Sequence, residues 1–230
     1  MGKGSMNTGA GGSPGAVLWD MDGVLVDTAE LHYLTWKSAL AVNGISITRA
    51  DFNNTFGMNN GQVLTYLLGQ APSKALLEEI SDRKEKRFRE LVCESSSLYP
   101  GAIELLSMLH QAGYSQAVAS SAPRENIATI LDKFDLGPYF QTTVSGHDLP
   151  SKPDPAVFLL AAQSLQIAPG KCIVIEDAFA GIQAARNAGM KCIAVGTTNP
   201  IEALGEANLA VNNLEELQLA DFQNLLQADK

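Results

Sequence analysis

The chain of 230 residues has 46% hydrophobic and 18% charged side chains, which is the composition of a globular protein with a substantial core. Its 25 acidic and 16 basic residues give a net charge of −9, whereas a general nucleic-acid binder requires a basic surface. At roughly 150 residues per domain, the length fits one α/β domain with a sizeable insertion. These values exclude a mainly disordered chain, and they leave a small phosphorylated metabolite as a possible partner.

The cysteines and the amino-terminal segment favour a cytoplasmic protein. Cys93, Cys172 and Cys192 form no CxxC pair, which favours reduced, buried thiols over a disulfide framework or a zinc site. No run of the chain reaches the ~18 apolar residues of a membrane span. Residues 1–15 lack an apolar segment, and we interpret them as a tag or flexible lead-in. We expect a cytoplasmic monomer without nucleic-acid or membrane partners.

Short apolar runs alternate with helical patterns along most of the chain. The predicted strands are residues 16–19, 117–119, 142–145, 173–175 and 192–195. The predicted helices of this part are residues 29–42, 102–111, 123–133, 178–188 and 215–226, with one more opening at residues 151–155. Residues 48–93 show helical patterns and no clear strand, and they include a highly charged run that is typical of a solvated helix face.

This alternation is typical of a parallel sheet that is buried on both faces by helices. We therefore predict an α/β protein with a Rossmann-like core and a small all-helical domain inserted after the first strand, which we call the cap. The core is assigned to residues 16–29 and 99–230, and the cap to residues 30–98. The two hinges are expected within residues 27–31 and 98–101.

Two aspartates follow the first predicted strand, at the edge of the sheet where α/β proteins bind ligands. Asp20 and Asp22 are two residues apart, so an extended segment projects both side chains to one side. Carboxylates this close repel each other unless a metal bridges them or one is protonated. Together with Asp177, which follows a later strand, they predict a site for a hard cation such as Mg²⁺. Capping of a turn or helix is the alternative role for each of them.

Three further polar side chains, Ser120, Lys152 and Glu176, are expected at the same edge. Phosphoryl transfer requires a nucleophile, an acid/base and positive charge on the phosphoryl oxygens. Asp20 is suited to attack and Asp22 to move the proton. Ser120 is suited to donate to a phosphoryl oxygen, and Lys152 to neutralise its charge. A helix-capping serine and a solvated loop lysine are the alternatives.

Four segments resemble the motifs of the haloacid dehalogenase-like superfamily. The run DMDGVLVDT at residues 20–28 resembles the signature DxDGxLxDT. The later motifs resemble residues 118–121 (VASS), 152–155 (KPDP) and 175–177 (IED), in the expected order and spacing. The helical insertion resembles the small helical cap of this superfamily.

The resemblance implies a Mg²⁺-dependent mechanism through an aspartyl phosphate, with Asp20 as nucleophile and Asp22 as general acid/base. The metal ligands that it implies are Asp20, Asp22 through its backbone carbonyl, Asp177 and Glu176. Dehalogenases of the superfamily lack the second aspartate, so Asp22 favours phosphate chemistry. Ser121 is a candidate for substrate binding.

Within the superfamily, residues 27–37 are similar to the hinge and first cap helix of β-phosphoglucomutases and their phosphatase relatives. This similarity assigns His32 to the gating of proton transfer. Arg83 and Lys84 resemble the mutase segment whose lysine holds the non-transferring phosphate, which implies that role for Lys84. Asn60 stands where the mutases have an arginine that clamps the second phosphate, and asparagine cannot supply a bidentate cation. We expect Gly57 and Asn60 to contact the substrate.

Two of these cap residues also have simpler interpretations, since His32 fits a packed interface and Lys84 a solvated helix face. We predict a Mg²⁺-dependent hydrolase of a small phosphorylated metabolite, with a sugar phosphate as the expected substrate, because Asn60 departs from the mutase pattern. A phosphosugar mutase is the alternative. A non-catalytic phospho-acceptor module, which also uses an aspartate and Mg²⁺, is a third hypothesis.

Overall fold

The structure is a computed structural model, and it describes residues 13–227. Most of the predicted lead-in therefore lies outside the described residues. The described strands are β1 (Ala16–Trp19), β2 (Val26–Asp27), β3 (Ser97–Leu98), β4 (Ser115–Ser120), β5 (Thr142–Ser145), β6 (Cys172–Glu176), β7 (Lys191–Val195) and β8 (Leu209–Val211). The described α-helices are α1 (Ala29–Ala41), α2 (Arg49–Thr55), α3 (Asn60–Leu68), α4 (Lys74–Ser95), α5 (Ala102–Gln111), α6 (Arg124–Lys133), α7 (Ala156–Leu165), α8 (Phe179–Asn187) and α9 (Leu219–Gln227).

Six strands form one sheet in the order β5-β4-β1-β6-β7-β8, with every pair of neighbours parallel. From β1 the chain moves outward to β4 and β5, and then returns to β6 on the other side of β1. The crossover direction therefore reverses at β1, and such a switch point is where α/β sheets bind ligands beyond the carboxyl ends of their strands. The predicted Rossmann-like α/β fold is confirmed.

Strand β1 is buried on both faces because its four residues are all apolar. Val17 and Trp19 belong to the hydrophobic cluster on one face of the sheet, with residues of α5, α6 and α9. Ala16 and Leu18 belong to the cluster on the other face, with residues of α7 and α8. This alternation follows from the two-residue period of a strand. Because both faces of β1 are buried, the position of Asp20 at its carboxyl end is fixed.

The helices α1 to α4 surround a third hydrophobic cluster, which lies within the cap and includes Trp36, Leu40 and Ile80. The two chain segments that join the cap to the core pair as antiparallel strands β2 and β3. Helix α4 is long enough to reach both parts of the molecule. Phe88 and Val92, in its second half, belong to a cluster of the core.

Several expectations differ from the structure in detail. Strand β8 was not predicted, and α9 begins at Leu219 because residues 214–216 form a separate 3-10 turn. Cys172 and Cys192 are buried free thiols, as expected, whereas Cys93 is also free but exposed. Within residues 13–227, no helix is long and apolar enough to cross a membrane.

Candidate active site

The centre of the site is an ammonium group between two carboxylates from neighbouring strands. Lys152 Nζ lies 2.6 Å from Asp20 Oδ1, just after β1, and 2.7 Å from Glu176 Oε1, at the end of β6. All three side chains are buried. Lys152 is therefore not a solvated loop lysine, and it fixes the orientation of the Asp20 carboxylate.

Both oxygens of Glu176 are engaged. Oε1 accepts from Lys152, and Oε2 accepts from the backbone N–H groups of Asp177 and Ala178, at 2.8 and 2.9 Å. A Cβ atom at Gly181 would overlap the Glu176 side chain, so glycine is needed for α8 to pass this close. In this geometry Glu176 anchors Lys152, which differs from the metal-ligand role that the sequence resemblance implied.

Asp177 is held by residues that follow β7. Its Oδ2 atom accepts a hydrogen bond from Thr198, and its backbone carbonyl accepts one from Asn199 Nδ2 at 3.0 Å. Gly23 has a φ of +89°, and a Cβ atom there would overlap Asp177 Oδ2. The loop after β1 can therefore approach Asp177 only with glycine at this position.

The buried charges at this edge of the sheet do not balance. Asp20, Glu176 and Asp177 face a single ammonium group, that of Lys152. Burial, and then the negative charges of Glu176 and Asp22, raise the pKa of Asp20 to about 7 despite the opposing effect of Lys152. Burial and the charges of Glu176 and Asp20 raise the pKa of Asp177 well above its ordinary value. A hard divalent cation fits this excess of carboxylate oxygens, and its charge would relieve the repulsion.

The side chains alone do not form a complete metal site. Within the part of the chain that the structure describes, no group of three His, Cys, Asp or Glu side chains is arranged to hold a metal ion. The side chain of Asp22 bonds to other residues, as does that of Glu176. The donor set that fits is therefore the carboxylates of Asp20 and Asp177 together with a backbone carbonyl, which the resemblance assigns to Asp22.

The Asp22 carboxylate is held by the start of the cap. Its Oδ1 atom accepts a hydrogen bond from Thr28 Oγ1 at 2.6 Å and lies 3.1 Å from His32 Nε2. Burial opposes ionisation of Asp22, but its contacts with His32 and Thr28 and the charge of Lys84 hold its pKa below the ordinary value. The predicted acid/base is thus held by one side chain of the hinge, Thr28, and one of the cap, His32, and sequence reasoning identified only His32.

His32 combines the two interpretations that the sequence left open. Its ring is stacked on Phe88, with 4.0 Å between the ring centroids, so it is a packed residue. It also contacts Asp22. Burial, followed by the charge of Lys84, lowers the pKa of His32, which favours a neutral ring that donates its Nε2 proton to the Asp22 carboxylate.

Ser120 ends β4 and is buried, and its hydroxyl accepts a hydrogen bond from the backbone N–H of Ala122 at 3.1 Å. It does not cap a helix, because α6 has Pro123 as its N-cap. Ser120 and Ser121 both line the cleft that contains Asp20. The structure therefore brings the two serines to the carboxyl edge of the sheet, where a phosphoryl group would bind.

A cleft of about 430 Å³ lies between the cap and the core, and it contains every candidate site residue that the sequence analysis named. Gly57, with a φ of +85°, lies on its cap side. Asn59 Nδ2 donates to Ser151 Oγ of the core across 2.5 Å. The cap and the core are thus in contact at the edge of the cleft.

The cap side of the cleft contains a buried polar cluster. Lys84 is buried, with its ammonium group 2.9 Å from Glu85 Oε1, and Asn60 Nδ2 donates to the same oxygen at 2.9 Å. Asn126, from α6 of the core, donates to Glu85 Oε2 at 2.6 Å. Lys84 is therefore not solvated, and Glu85 and Asn126 are site residues that sequence reasoning missed.

The chain matches the haloacid dehalogenase-like hydrolase family over residues 17–195. This match covers most of the chain, and the protein belongs to that family. Its relatives in this family include proteins named as a phosphomutase and as a phosphatase. Family membership disfavours the non-catalytic phospho-acceptor hypothesis.

Relatives of known name include both a phosphatase and a mutase. The chain is 35% identical over 212 residues to β-phosphoglucomutase of Bacillus subtilis. The alignment covers 89% of this chain and 92% of that protein. It is 30% identical over 215 residues to a chloroplastic 5-amino-6-(5-phospho-D-ribitylamino)uracil phosphatase of Arabidopsis thaliana, covering 92% of this chain but only 58% of that protein's length. The structure of β-phosphoglucomutase from Clostridium difficile superposes with a TM-score of 0.83 at 26% identity, covering 93% of this chain and 97% of that one.

Proposed function

We propose that the protein is a Mg²⁺-dependent phosphatase of a small phosphorylated metabolite, with a sugar or polyol phosphate as the substrate class. The observation that carries this proposal is the Asp20–Lys152–Glu176 arrangement at the switch point of the sheet. The Arabidopsis relative is named for a phosphatase of a phosphoribityl compound, which supports the substrate class. A cytoplasmic monomer remains a prediction.

In the first step, Asp20 Oδ2 attacks phosphorus while Lys152 holds Oδ1. The bond between phosphorus and the ester oxygen breaks, and the leaving oxygen takes a proton from Asp22, which must enter this step as the carboxylic acid after taking up a proton from solvent. In the second step, Asp22 accepts a proton from a water molecule, and the water oxygen attacks the phosphorus of the aspartyl phosphate. Inorganic phosphate leaves and the Asp20 carboxylate is restored.

The remaining residues stabilise charge on the phosphoryl group. Ser120 would donate a hydrogen bond to one phosphoryl oxygen, and Lys152 would neutralise part of the charge. The carboxylates of Asp20 and Asp177 and the backbone carbonyl of Asp22 would hold Mg²⁺. When bound, the cation supplies positive charge next to the phosphoryl oxygens.

The direct test is release of inorganic phosphate from a panel of metabolites and from p-nitrophenyl phosphate, with Mg²⁺ and with a chelator. We expect turnover of p-nitrophenyl phosphate and of at least one sugar or polyol phosphate, and loss of both activities with the chelator. Absence of turnover on every phosphate ester in the presence of Mg²⁺ would refute the proposal.

A phosphosugar mutase is the second candidate, because two of the relatives named above are β-phosphoglucomutases. A mutase must hold its bisphosphate intermediate by both phosphates, and a bidentate arginine is well suited to the distal one. Asn60 offers only neutral donors, and its amide is already bonded to Glu85. We expect Mg²⁺ and β-glucose 1-phosphate to give inorganic phosphate faster than glucose 6-phosphate, even with a bisphosphate primer. A coupled assay that measures both products distinguishes a phosphatase from a mutase, and a predominance of glucose 6-phosphate would favour the mutase.

Thr198→Val should weaken the binding of Mg²⁺. The Thr198 hydroxyl donates to Asp177 Oδ2, and loss of such a contact to a metal ligand commonly costs about 10–100-fold in metal affinity. Calorimetric titration with Mg²⁺ in the absence of substrate measures this directly. Thr129→Val is the matched control, because its hydroxyl donates to the Glu125 carbonyl of the same helix, in a solvent-exposed contact. An unchanged Mg²⁺ affinity in Thr198→Val would remove Asp177 from the proposed ligands.

A further inference from the structure

The reaction proposed above does not use Glu85, although this residue lies in the cleft. Glu85 and Lys84 are only 6% and 3% exposed, and Lys84 Nζ is 2.9 Å from Glu85 Oε1. Consecutive residues of a helix ordinarily point away from each other. Here the lysine ammonium group turns back to its neighbour instead of projecting into the cleft without a partner.

Glu85 is the common acceptor of groups from three helices. Lys84 of α4 and Asn60 of α3 donate to Oε1, and Asn126 of α6 donates to Oε2. Asn126 is itself held by Arg89, which donates to its Oδ1 atom at 3.0 Å. Both oxygens of the carboxylate are therefore fixed, and so is its position relative to the core.

Glu85 is ionised in this environment. Burial alone would raise its pKa, but the charge of Lys84 and the hydrogen bonds from Lys84 and Asn60 hold the pKa below its ordinary value. The cluster thus contains one ammonium group and one carboxylate in contact, and its net charge at neutral pH is zero.

Among residues 13–227, the cap side of the cleft has no unpaired lysine or arginine for a second phosphate. Among the described lining residues there is no arginine, and the two lysines are Lys84 and Lys152. Lys152 is bonded to Asp20 and Glu176, and Lys84 to Glu85. A distal phosphate would meet attraction from Lys84 and repulsion from Glu85 at similar range. The free energy that the distal phosphate loses on leaving water would therefore not be compensated by attraction to Lys84.

We propose that Glu85 sets the substrate specificity by neutralising Lys84, so that the cap side of the cleft accepts a neutral, hydroxyl-bearing end of a phosphate monoester and rejects a second phosphate. Hydroxyl groups match this cluster because they both donate and accept hydrogen bonds. They can donate to the Glu85 carboxylate and accept from the second N–H of the Asn60 and Asn126 amides, whose other N–H bonds to Glu85. This inference rests on the proposed phosphatase function and specifies its substrate class.

The test compares kcat/KM for glucose 6-phosphate with kcat/KM for glucose 1,6-bisphosphate, measured as release of inorganic phosphate. The wild-type enzyme should prefer the monophosphate by roughly 10-fold or more. Glu85→Gln leaves Lys84 without its countercharge, so the ratio should move toward the bisphosphate by roughly 10-fold or more. A wild-type preference for the bisphosphate, or an unchanged ratio in Glu85→Gln, would overturn the proposal.

Two control variants separate local from general charge effects. Glu78→Gln removes the same charge from an exposed position of α4, where Glu78 pairs only with Lys74, and should leave the ratio at the wild-type value. The double variant Lys84→Met, Glu85→Gln removes both charges and should return the ratio close to that value. A bisphosphate preference that persists in the double variant would show that Lys84 is not the cation involved.

The proposal does not depend on Glu85→Gln being folded, because the wild-type ratio alone can contradict it. Failure of the phosphatase function is recognised separately, by the absence of p-nitrophenyl phosphate turnover in the wild type. In that case, calorimetric titration of the wild type with the two glucose phosphates measures the same selectivity as a ratio of dissociation constants. Tighter binding of the bisphosphate would then contradict the role of Glu85.

Discussion

Asp20→Asn is expected to reduce phosphatase turnover by roughly 10⁴-fold or more, because an amide cannot form the aspartyl phosphate. The protein should remain folded. Asparagine keeps an oxygen that can accept the hydrogen bond from Lys152, and Lys152 retains Glu176. Since three buried carboxylates share one ammonium group, loss of one negative charge relieves repulsion, and we expect Tm to be equal to or above that of the wild type. Phosphate release and thermal unfolding test both expectations.

Asp82→Asn is the matched control for this substitution. It makes the same chemical change at an exposed position of α4 outside the cleft, and it should retain wild-type turnover. Turnover by Asp20→Asn at a rate near that of the control would refute the nucleophilic role of Asp20 and the mechanism with it.

Asp22→Ala is expected to slow hydrolysis of sugar phosphates by roughly 10²–10⁴-fold, the usual contribution of a positioned general acid. The loss should be smaller for p-nitrophenyl phosphate, because its leaving group departs without a proton. The measurement is the ratio of kcat/KM for the two substrate types in the variant and in the wild type.

Equal losses on both substrate types would contradict protonation of the leaving group as the main role of Asp22, unless hydrolysis of the aspartyl phosphate, in which Asp22 is the base, limits turnover of both substrates. A structural role of this carboxylate would produce that result, since Asp22 joins the loop after β1 to Thr28 and His32. Thermal unfolding of the variant separates the two roles, because only the structural one requires a large decrease in Tm.

The parallel sheet and most helices could be predicted from the sequence because their signals are local. Buried strands β1, β4 and β6 each contain a short continuous apolar run, and the helices between them repeat with helical spacing. Strand β8 has only three residues, of which two are half-buried, and this is too short for a periodic signal. The helical pattern of the sequence begins at residue 215, whereas α9 begins at Leu219. Asp221 accepts a hydrogen bond from the backbone N–H of Gln218 and so marks the start of the helix, and the pattern of apolar residues does not show this contact.

The core of the site could also be predicted, because its residues follow strands and stand in a specific motif. The partners of these residues could not. Leu34 fits the apolar pattern of α1 but is 44% exposed, whereas the polar His32 and Thr35 are buried on the opposite face. Glu85 belongs to a charged run that is typical of solvated helices, and only the approach of α6 shows that Asn126 bonds to it. Contacts between elements distant in sequence carry no local signal.

Helix α4 has a consequence for how the molecule unfolds. Ile80, in its first half, packs in the cap, whereas Phe88 and Val92, in its second half, pack with the core. Unfolding of the whole helix would therefore expose apolar surface in both parts. Through this shared helix, together with the paired linkers β2 and β3, the stability of the cap is coupled to that of the core, and unfolding of α4 would disrupt the surface that carries Lys84 and Glu85.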